Sequence, residues 1–292
     1  MSLLDSFADI VRQDEPLAPH TWLGVGGPAQ YFIQPRTQDE LVSVVKTCVH
    51  DQIPIRILGS GSNVIVRDEG IAGAVIQIEG NGFSQITTEG TRIRAGAGAL
   101  LSNVISHAVK SGLAGMEVLV GIPGTVGGAL KGNAGGKSGD IGQFVRSVRA
   151  LTDKGEIVTR TEDELSFAYR TSSIDELVIL DGEFELMKGD PDEITRRMRT
   201  IWIMKKATQP LTFQSAGCIF KNPRGLSAGA LIEQAGLKGM RKGEAEISDR
   251  HGNFIVTSEG AKAADVLQLI ELARSRVAEQ FGVPLELEVQ IW

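Results

Sequence analysis

The sequence predicts an α+β protein, because short strand patterns alternate with helical ones along it. At a usual ~150 residues per domain, its 292 residues make about two domains. Apolar or β-branched runs separated by Gly and Pro predict strands, and apolar residues spaced three or four apart predict helices. Glycine is enriched at 35 residues and concentrates between Gly112 and Gly142. This crowding predicts a backbone that takes positive φ or lies close to a ligand.

Helix signals stand at four places. Thr37-Gln38-Asp39-Glu40 has the pattern of a capping box and predicts a helix over about 38–51, and a second helix is predicted over 100–110. Asp190-Pro191 combines an N-cap with proline at the first helical position, so a third helix runs to about 206. An apolar stripe from Val266 to Phe281 predicts a helix that ends at Gly282. Strands are predicted at 29–34, 53–58, 64–66, 74–78, 91–96, 177–187 and 285–291, with a hairpin at 145–161.

The main domain boundary is predicted near Gly189, where the glycine-rich part of the chain ends. Residues 1–188 then form a first region, with lobes of about 1–80 and 81–188. Residues 189–292 form a second domain, which has helices and strands of its own.

Composition excludes several functional classes. A net charge of -6 gives no general attraction to nucleic acid. Cys48 and Cys218 cannot form the disulfide framework of a small secreted domain, and the four histidines lack the spacing of a metal site. The first residues carry no basic leader-like segment, and no run approaches the ~20 apolar residues that span a bilayer. We therefore expect a cytoplasmic protein that binds no metal and does not insert into membranes.

The first candidate site is the loop Gly59-Ser60-Gly61-Ser62-Asn63, which follows an apolar strand. The Rossmann dinucleotide fingerprint fails here, because the following residues have the pattern of a strand and no helix N-terminus is available for a pyrophosphate. Consecutive backbone amides in such a loop can still form an anion-binding nest. A tight hairpin with no ligand is the alternative.

The second candidate site is the glycine-rich run over 121–129 and 132–136. It is too long for one turn and too apolar for a linker, so we expect an ordered loop that contacts something large and flat. Together with Ser60, Ser62 and Thr125, the two runs suit a diphosphate between two ring systems. An irregular structural loop remains the alternative.

Three further side chains could take part in chemistry. Arg170 suits a carboxylate or phosphate, Glu288 suits a proton donor or a charge stabiliser, and Cys218 is a thiol close to Lys221 and Asn222. Each also has an ordinary alternative: a surface arginine, the solvated face of a strand, and an inert packing thiol.

The order of these motifs along the chain closely resembles that of the UDP-N-acetylenolpyruvoylglucosamine reductases, flavoenzymes of peptidoglycan precursor synthesis and cell wall biogenesis. The resemblance covers nearly the whole chain. The matching segments are His20-Thr21-Trp22, Gly26-Gly27-Pro28-Ala29, Gly59–Asn63, Gly121–Ala129, Asn133-Ala134-Gly135, Tyr169-Arg170, Thr208-Gln209-Pro210, Ser215-Ala216-Gly217, Phe220-Lys221-Asn222-Pro223, Leu231-Ile232-Glu233, Ala235–Gly239, His251, Asn253–Val256, Leu285-Glu286 and Glu288-Val289.

The resemblance implies a two-lobed FAD-binding region of the vanillyl-alcohol-oxidase/PCMH type and a C-terminal substrate-binding domain, in the shorter type II form. FAD would be held non-covalently, with NADPH and UDP-N-acetylglucosamine enolpyruvate as substrates. Hydride would pass from NADPH to FAD and on to the enolpyruvyl carbon. Catalytic roles fall to Arg170, Cys218 and Glu288, and substrate binding to Tyr169, Lys206 and Asn222. The residues expected to bind the cofactor are Gly59, Ser60, Gly61, Ser62, Asn63, Gly121, Ile122, Pro123, Gly124, Thr125, Gly127, Gly128, Asn133 and Gly135.

The sequence departs from the family pattern at two positions. Cys218 stands where the family usually has Ser, in the place of the proton donor, and Leu287 stands where many members have Pro. Two other functions stay open on the sequence alone: a flavin-dependent oxidase of the same fold, and a catalytically silent nucleotide-binding protein. Arg170, Asn222 and Glu288 in their motif context favour an active reductase.

Overall fold

The computed structural model describes residues 7–80, 82–136 and 138–292. The prediction about a leader segment rests on the first residues of the chain, and residues 1–6 of these lie outside the described residues. The helices are α1 (Gln38–His50), α2 (Leu101–Lys110), α3 (Val126–Lys131), α4 (Pro191–Thr208), α5 (Ala228–Gln234) and α6 (Ala263–Phe281). Across the described ranges, none of these helices combines the length and the apolar composition that crossing a lipid bilayer requires.

The strands are numerous and mostly short. They are β1 (Val11–Pro16), β2 (Pro28–Ile33), β3 (Ile55–Leu58), β4 (Val64–Ile65), β5 (Ile71–Gln77), β6 (Ile86–Glu89), β7 (Arg92–Gly96), β8 (Leu113–Ala114), β9 (Gly135–Gly136), β10 (Gly139–Asp140), β11 (Val145–Leu151), β12 (Ile157–Thr161), β13 (Phe167–Ala168), β14 (Thr171–Ser172), β15 (Val178–Glu185), β16 (Met187–Lys188), β17 (Gln214–Cys218), β18 (Arg241–Lys242), β19 (Ala245–Ile247), β20 (Phe254–Thr257) and β21 (Gln290–Ile291).

The larger sheets have the strand orders β1-β2-β5-β3, β12-β11-β15-β7-β6 and β17-β20-β19-β18. The second of these is antiparallel throughout, whereas β3 pairs with β5 in parallel. Smaller pairs join β9 to β10, β13 to β14, β8 to β16 and β4 to β21. Helices and antiparallel strands alternate without a regular βαβ repeat, so the predicted α+β class is confirmed.

The chain divides into two compact units, each built from separate segments. Unit 1 contains the segment that ends at Gln13, together with Tyr31–Ser60 and Gly73–Met204, and unit 2 contains Asp14–Gln30, Gly61–Ala72 and Lys205–Trp292. Each unit has a hydrophobic core of its own: Phe184 and Ile93 are fully buried in unit 1, and Phe220 and Val266 in unit 2. The predicted boundary near Gly189 describes a simple linear division, and it stays a prediction.

Helix ends follow the sequence signals closely. The Thr37 hydroxyl accepts a hydrogen bond from the Glu40 amide at the start of α1. The reciprocal half of the capping box differs from the prediction, because the Glu40 carboxylate accepts from the backbone amide of Arg36, at 2.7 Å. At the other end of the chain, Gly282 closes α6 with a left-handed φ of 67°, which only glycine adopts readily.

Two predicted elements differ from the structure. The run over 121–136 was expected to be a loop, but its middle forms α3, because Thr125 accepts from the Gly128 amide and caps the helix. The predicted strand over 285–291 reduces to β21. Its in-and-out pattern survives, since Leu285 and Val289 are buried while Glu286 and Gln290 are exposed.

The N-terminus of α6 is capped by a side chain from a distant segment of unit 2. The two carboxylate oxygens of Asp68 accept hydrogen bonds from the amides of Ala263 and Ala264, each at 2.9 Å. Lys262, at the N-cap position, makes no such bond with its side chain. Asp68 therefore supplies both the acceptors and the negative charge that a helix N-terminus favours.

Replacing Asp68 by Ala should lower the free energy of unfolding by about 1–2 kcal/mol, because two helix amides lose a charged acceptor. Urea denaturation of the purified protein measures the change. The neighbouring exposed Glu69→Ala is the matched control and should stay within about 0.5 kcal/mol of the parent. Equal stabilities for the two variants would mean that the cap contributes nothing.

Candidate active site

The loop over 59–63 joins strands of different sheets and is not a hairpin. β3 pairs with β5, whereas β4 pairs with β21. Gly61 has a φ of +69°, and a Cβ atom there would lie 2.1 Å from the carbonyl oxygen of His20. A Cβ atom on Gly59 would lie 2.5 Å from the hydroxyl of Thr125. Both glycines are therefore required by close approach of neighbouring atoms.

Polar groups of this loop are available to a ligand. The hydroxyl oxygen of Ser60 is buried and has no hydrogen-bond partner within the described residues. In the same part of the chain, the amides of Ser60, Gly61 and Ser62 donate no hydrogen bond. Successive unpaired amides beside a buried hydroxyl make a nest for an anion. This donor set fits a diphosphate such as that of FAD.

The second glycine-rich run uses its helix amides internally. The amides of Val126 and Gly127 donate to the carbonyls of Ala99 and Ala97, at 2.9 and 2.8 Å, and the Gly128 amide donates to Thr125. The first amides of α3 therefore already donate hydrogen bonds within the protein. Positive φ occurs just before it, at 76° for Gly121 and 112° for Gly124. The glycines here shape the turn and let α3 lie close to the Ala97 backbone.

Arg170 occupies a strained position in a two-residue turn. Tyr169 and Arg170 connect β13 and β14, where Ala168 pairs with Thr171. Arg170 has a φ of 59°, a left-handed value that is uncommon outside glycine and asparagine. Its guanidinium carbon lies 5.1 Å from the centre of the Tyr169 ring. Backbone strain of this kind clusters at functional sites, where it sets the direction of a side chain.

Asn133 ties this hairpin to the glycine-rich run of unit 1. Its amide nitrogen donates to the carbonyl of Ala168 at 2.8 Å, and its amide oxygen accepts from the Gly142 amide at 3.0 Å. Asn133 is 2% exposed and itself has a φ of 43°. Its side chain therefore positions the hairpin that carries Arg170. Contact between Asn133 and the cofactor stays a prediction, as it does for the other residues assigned to the cofactor.

Cys218 follows a β-bulge in unit 2. The register between β17 and β20 shifts between Ser215 and Cys218, and Gly217 takes a φ of 74° with open space around it. A bulge bends a strand and changes where the next side chain points. The glycine before Cys218 is thus a backbone requirement, and the thiol is half-buried.

The segment after Cys218 is hydrogen-bonded to the segment that contains Glu288. The Glu288 amide donates to the carbonyl of Ile219 at 2.8 Å, and the Lys221 amide donates to the carbonyl of Glu286, also at 2.8 Å. The side chain of Asn63 donates to the carbonyl of Glu288 at 3.2 Å. Unit 2 therefore brings together Cys218, Glu288 and the end of the first glycine-rich loop.

Asn222 has a defined orientation at the start of α5. Its amide oxygen accepts from the Ala228 amide at 3.0 Å, so the side-chain oxygen and the NH2 donor are distinguished, and the residue is exposed. An NH2 donor suits a phosphate oxygen. Lys206 lies exposed near the end of α4.

Some residues that shape the site were assigned no role by sequence reasoning. Gln77 is 4% exposed and donates to the carbonyl of Gly59 at 3.2 Å. Asn253 is 2% exposed and bonds to the backbone of Phe220. Each is an amide side chain in or beside an apolar strand, and that signal marks a buried polar group with a fixed partner.

Comparisons with known proteins bear on the whole chain. The model of the UDP-N-acetylenolpyruvoylglucosamine reductase C-terminal domain matches residues 209–292, and that of an FAD binding domain matches residues 29–161. A UDP-N-acetylenolpyruvoylglucosamine reductase of Alkaliphilus oremlandii is 43% identical over 97% of this chain and 93% of its own length. One of Syntrophus aciditrophicus is 42% identical over 95% and 90%. The chain belongs to the UDP-N-acetylenolpyruvoylglucosamine reductase family.

A solved structure agrees with this assignment. The crystal structure of UDP-N-acetylenolpyruvylglucosamine reductase from Thermus caldophilus has a TM-score of 0.82 and 39% identity, and the match covers 97% of this chain and 98% of that one. The predicted membership in the reductase family is confirmed. The matched FAD binding domain contains both glycine-rich runs in full, as expected for the cofactor that the family uses.

Replacing Ser60 by Ala should weaken FAD binding while leaving the apoprotein as stable as the parent or more stable. The buried hydroxyl lacks a protein partner, so its removal costs the apoprotein no hydrogen bond, whereas a bound diphosphate would lose one, worth about 0.5–1.5 kcal/mol. Fluorescence titration of apoprotein with FAD and thermal melting measure the two effects. Ser258→Ala, in an exposed turn, is the control. Unchanged affinity, or a clear loss of apoprotein stability, would contradict the role of Ser60.

Proposed function

We propose that this member of the reductase family reduces UDP-N-acetylglucosamine enolpyruvate to UDP-N-acetylmuramate, with NADPH as the reductant. The observation that carries the proposal is the hydrogen-bonded strip of unit 2, which joins the segment of Cys218 and Asn222 to that of Glu288. The loop over 59–63, with its nest and the Ser60 hydroxyl, holds the FAD diphosphate. Bound FAD supplies hydride transfer between NADPH and the β-carbon of the enolpyruvyl group.

The chain's own residues handle charge and protons. Hydride addition at the β-carbon pushes electron density towards the substrate carboxylate. The Arg170 guanidinium stabilises this charge, Glu288 in its acid form donates a hydrogen bond to the enolate-like intermediate, and the Cys218 thiol delivers a proton to the α-carbon. Asn222, Lys206 and Tyr169 bind the UDP portion, for which NH2, ammonium and phenol groups provide hydrogen-bond donors.

The proposal also covers where the protein acts and what it binds. A nucleotide-sugar substrate and NADPH place the reaction in the cytoplasm, and a net charge of -6 gives no general attraction to nucleic acid. The flavin oxidase alternative is not supported, because the C-terminal 84 residues, 209–292, match the reductase family's own C-terminal domain.

The function is tested by following flavin absorbance without oxygen. NADPH should bleach the bound flavin of the parent protein, and UDP-N-acetylglucosamine enolpyruvate should restore its colour. A parent protein that NADPH bleaches but that the enolpyruvyl compound leaves bleached would contradict the proposed substrate.

Arg170→Ala and Glu288→Gln should separate the two half-reactions. Both variants should still be bleached by NADPH, because neither residue is assigned to hydride transfer from the nicotinamide. Return of colour with the enolpyruvyl substrate should slow by about 100-fold or more, since charge stabilisation in the transition state is lost. Stopped-flow absorbance measures both steps. Parent-like reoxidation in both variants would show that these assignments are wrong.

Cys218→Ala should slow reoxidation by about 100-fold or more while sparing reduction by NADPH, as expected for loss of a general acid. Cys218→Ser should keep substantial turnover, because a hydroxyl can also donate a proton. Its alkaline limit should move upward, since an ordinary thiol has a pKa of ~8.5 whereas a serine hydroxyl stays protonated. A pH profile of the reoxidation rate checks the shift.

Iodoacetamide gives an independent check on the same thiol. It should inactivate the parent but not Cys218→Ser, with substrate giving protection. Cys48 should not react, because it is fully buried and burial raises the pKa of its thiol to about 11. Normal reoxidation by Cys218→Ala would make the thiol a packing residue and leave Glu288 as the proton donor.

A further inference from the structure

Asn253 makes an unusual set of hydrogen bonds beside the segment that follows Cys218. Its amide oxygen accepts from the backbone amide of Phe220 at 2.9 Å, and its amide nitrogen donates to the carbonyl of Phe220 at 2.8 Å. Its own carbonyl accepts from the Ile219 amide at 2.9 Å. Asn253 thus replaces a strand partner for two consecutive residues, using its side chain for one of them.

Water cannot replace these hydrogen bonds, because the groups that make them are buried. Asn253 is 2% exposed, and Ile219 and Phe220 are each 1% exposed. Loss of the side chain would leave a buried amide and a buried carbonyl unpaired, and unpaired buried groups are costly enough to displace the backbone that carries them.

The same segment is bonded on its other side to the strip that contains Glu288. The carbonyl of Ile219 accepts from the Glu288 amide, and Phe220 forms a bridge with Leu287. Cys218 and Asn222 flank the segment at its two ends. One buried side chain therefore controls the backbone between the proposed proton donor, the proposed diphosphate ligand and the proposed charge stabiliser.

Asn253 is itself held in place by His251. The Asn253 amide donates to Nδ1 of His251 at 3.2 Å, and the imidazole meets the Phe254 ring edge-on, with centres 4.9 Å apart. Helix α5 packs closely against both side chains and restricts their movement. A Cβ atom on Gly229 would lie 2.9 Å from the imidazole and 3.5 Å from the Asn253 Cβ. Burial lowers the pKa of His251, which favours the neutral ring that can accept at Nδ1.

We propose that Asn253 is a positioning residue for the half-reaction in which the enolpyruvyl substrate reoxidises the flavin, and that it sets the Cys218 thiol and the Asn222 amide in register with Glu288. The inference rests on the proposed function, and it assigns to Asn253 no contact with substrate. Misplacing a reacting group by about 1 Å can reduce a rate by roughly 100-fold. Loss of the Phe220 bonds should therefore appear in the rate of proton delivery.

Asn253→Asp tests the proposal with almost no change in shape. An ionised carboxylate still accepts from the Phe220 amide but faces the Phe220 carbonyl without a donor. Reoxidation by the enolpyruvyl substrate, per reducible flavin, should fall at least about tenfold at pH 8. At lower pH the protonated acid regains a donor, so the rate relative to the parent should recover. His251, on which Lys238 and Glu233 act, also bears on this position, and Asn253→Ser, which adds no carboxylate, controls for its contribution to the pH profile.

Two further variants separate positioning from folding. Asn253→Ser, whose short hydroxyl cannot serve both groups of Phe220, should be slow at every pH. Thr257→Val, at the end of the strand that follows Asn253, removes the buried hydrogen bond from Thr257 to the Leu23 carbonyl and should lose stability without losing reoxidation rate. The solvent deuterium isotope effect on reoxidation should rise for both Asn253 variants and stay at the parent value for Thr257→Val.

The outcomes are distinct. Parent-like reoxidation and a parent-like isotope effect in both Asn253 variants would overturn the proposal, as would equal slowing in Thr257→Val. If Asn253→Asp retains no flavin at pH 8, the comparison of Asn253→Ser with Thr257→Val decides. A parent protein that the enolpyruvyl compound fails to reoxidise would contradict the proposed function, and reduction by NADPH in all variants shows that each is folded around its flavin.

Discussion

The hydrogen bond from the Glu288 amide to the Ile219 carbonyl, at 2.8 Å, is the contact on which the chemistry of unit 2 depends. It joins two segments that are distant in sequence, and their side chains share one task in the proposed reaction. The bond is made by backbone atoms, so it holds the two segments together without using the side chains of Cys218 and Glu288. The carbonyl of Glu288 is used as well, since it accepts from Asn63. Both peptide groups of Glu288 therefore take part in holding its segment in place.

The same division between holding and reacting groups recurs in unit 1. Arg170 is directed by the left-handed φ of its own residue, 59°, and the hairpin that carries it is fixed through the Ala168 carbonyl by Asn133. A left-handed arginine is unfavourable by itself and persists only when surrounding bonds determine it. Asn133 provides one of these bonds from a buried position and is itself fixed by its bond from the Gly142 amide. In both units, therefore, a buried asparagine whose side chain bonds to backbone groups helps to fix the segment that carries a proposed functional side chain.

Sequence reasoning reached the family and the elements but not these supports. Helix limits were readable because capping chemistry is local: Gly282 must be left-handed, and Thr37 caps its own helix. Cys218 and Arg170 were candidates from their chemistry, the resemblance assigned their catalytic roles, and those roles stay predictions. The partners of Asn253 and Gln77 could not be predicted, because a buried amide reports only that a partner exists. Which backbone group it meets depends on the register of segments far apart in sequence. The helix α3 was missed for a related reason, since its glycines disfavour a helix locally while tertiary hydrogen bonds to Ala97 and Ala99 hold it.

The loop around Ser60 shows how a binding site can oppose the stability of the protein that contains it. A buried hydroxyl without a partner costs the apoprotein on the order of 1–3 kcal/mol, and the left-handed φ of Gly61 restricts that position to glycine. An alanine at position 60 would remove the polar penalty and lose only the small volume of the hydroxyl. Both features become favourable once an anion accepts from the loop, because the unpaired donors then find an acceptor and the ligand binds only the folded state. Cofactor binding should consequently contribute to folding stability through mass action. Without the cofactor, the unsatisfied donors lower the stability of the apoprotein.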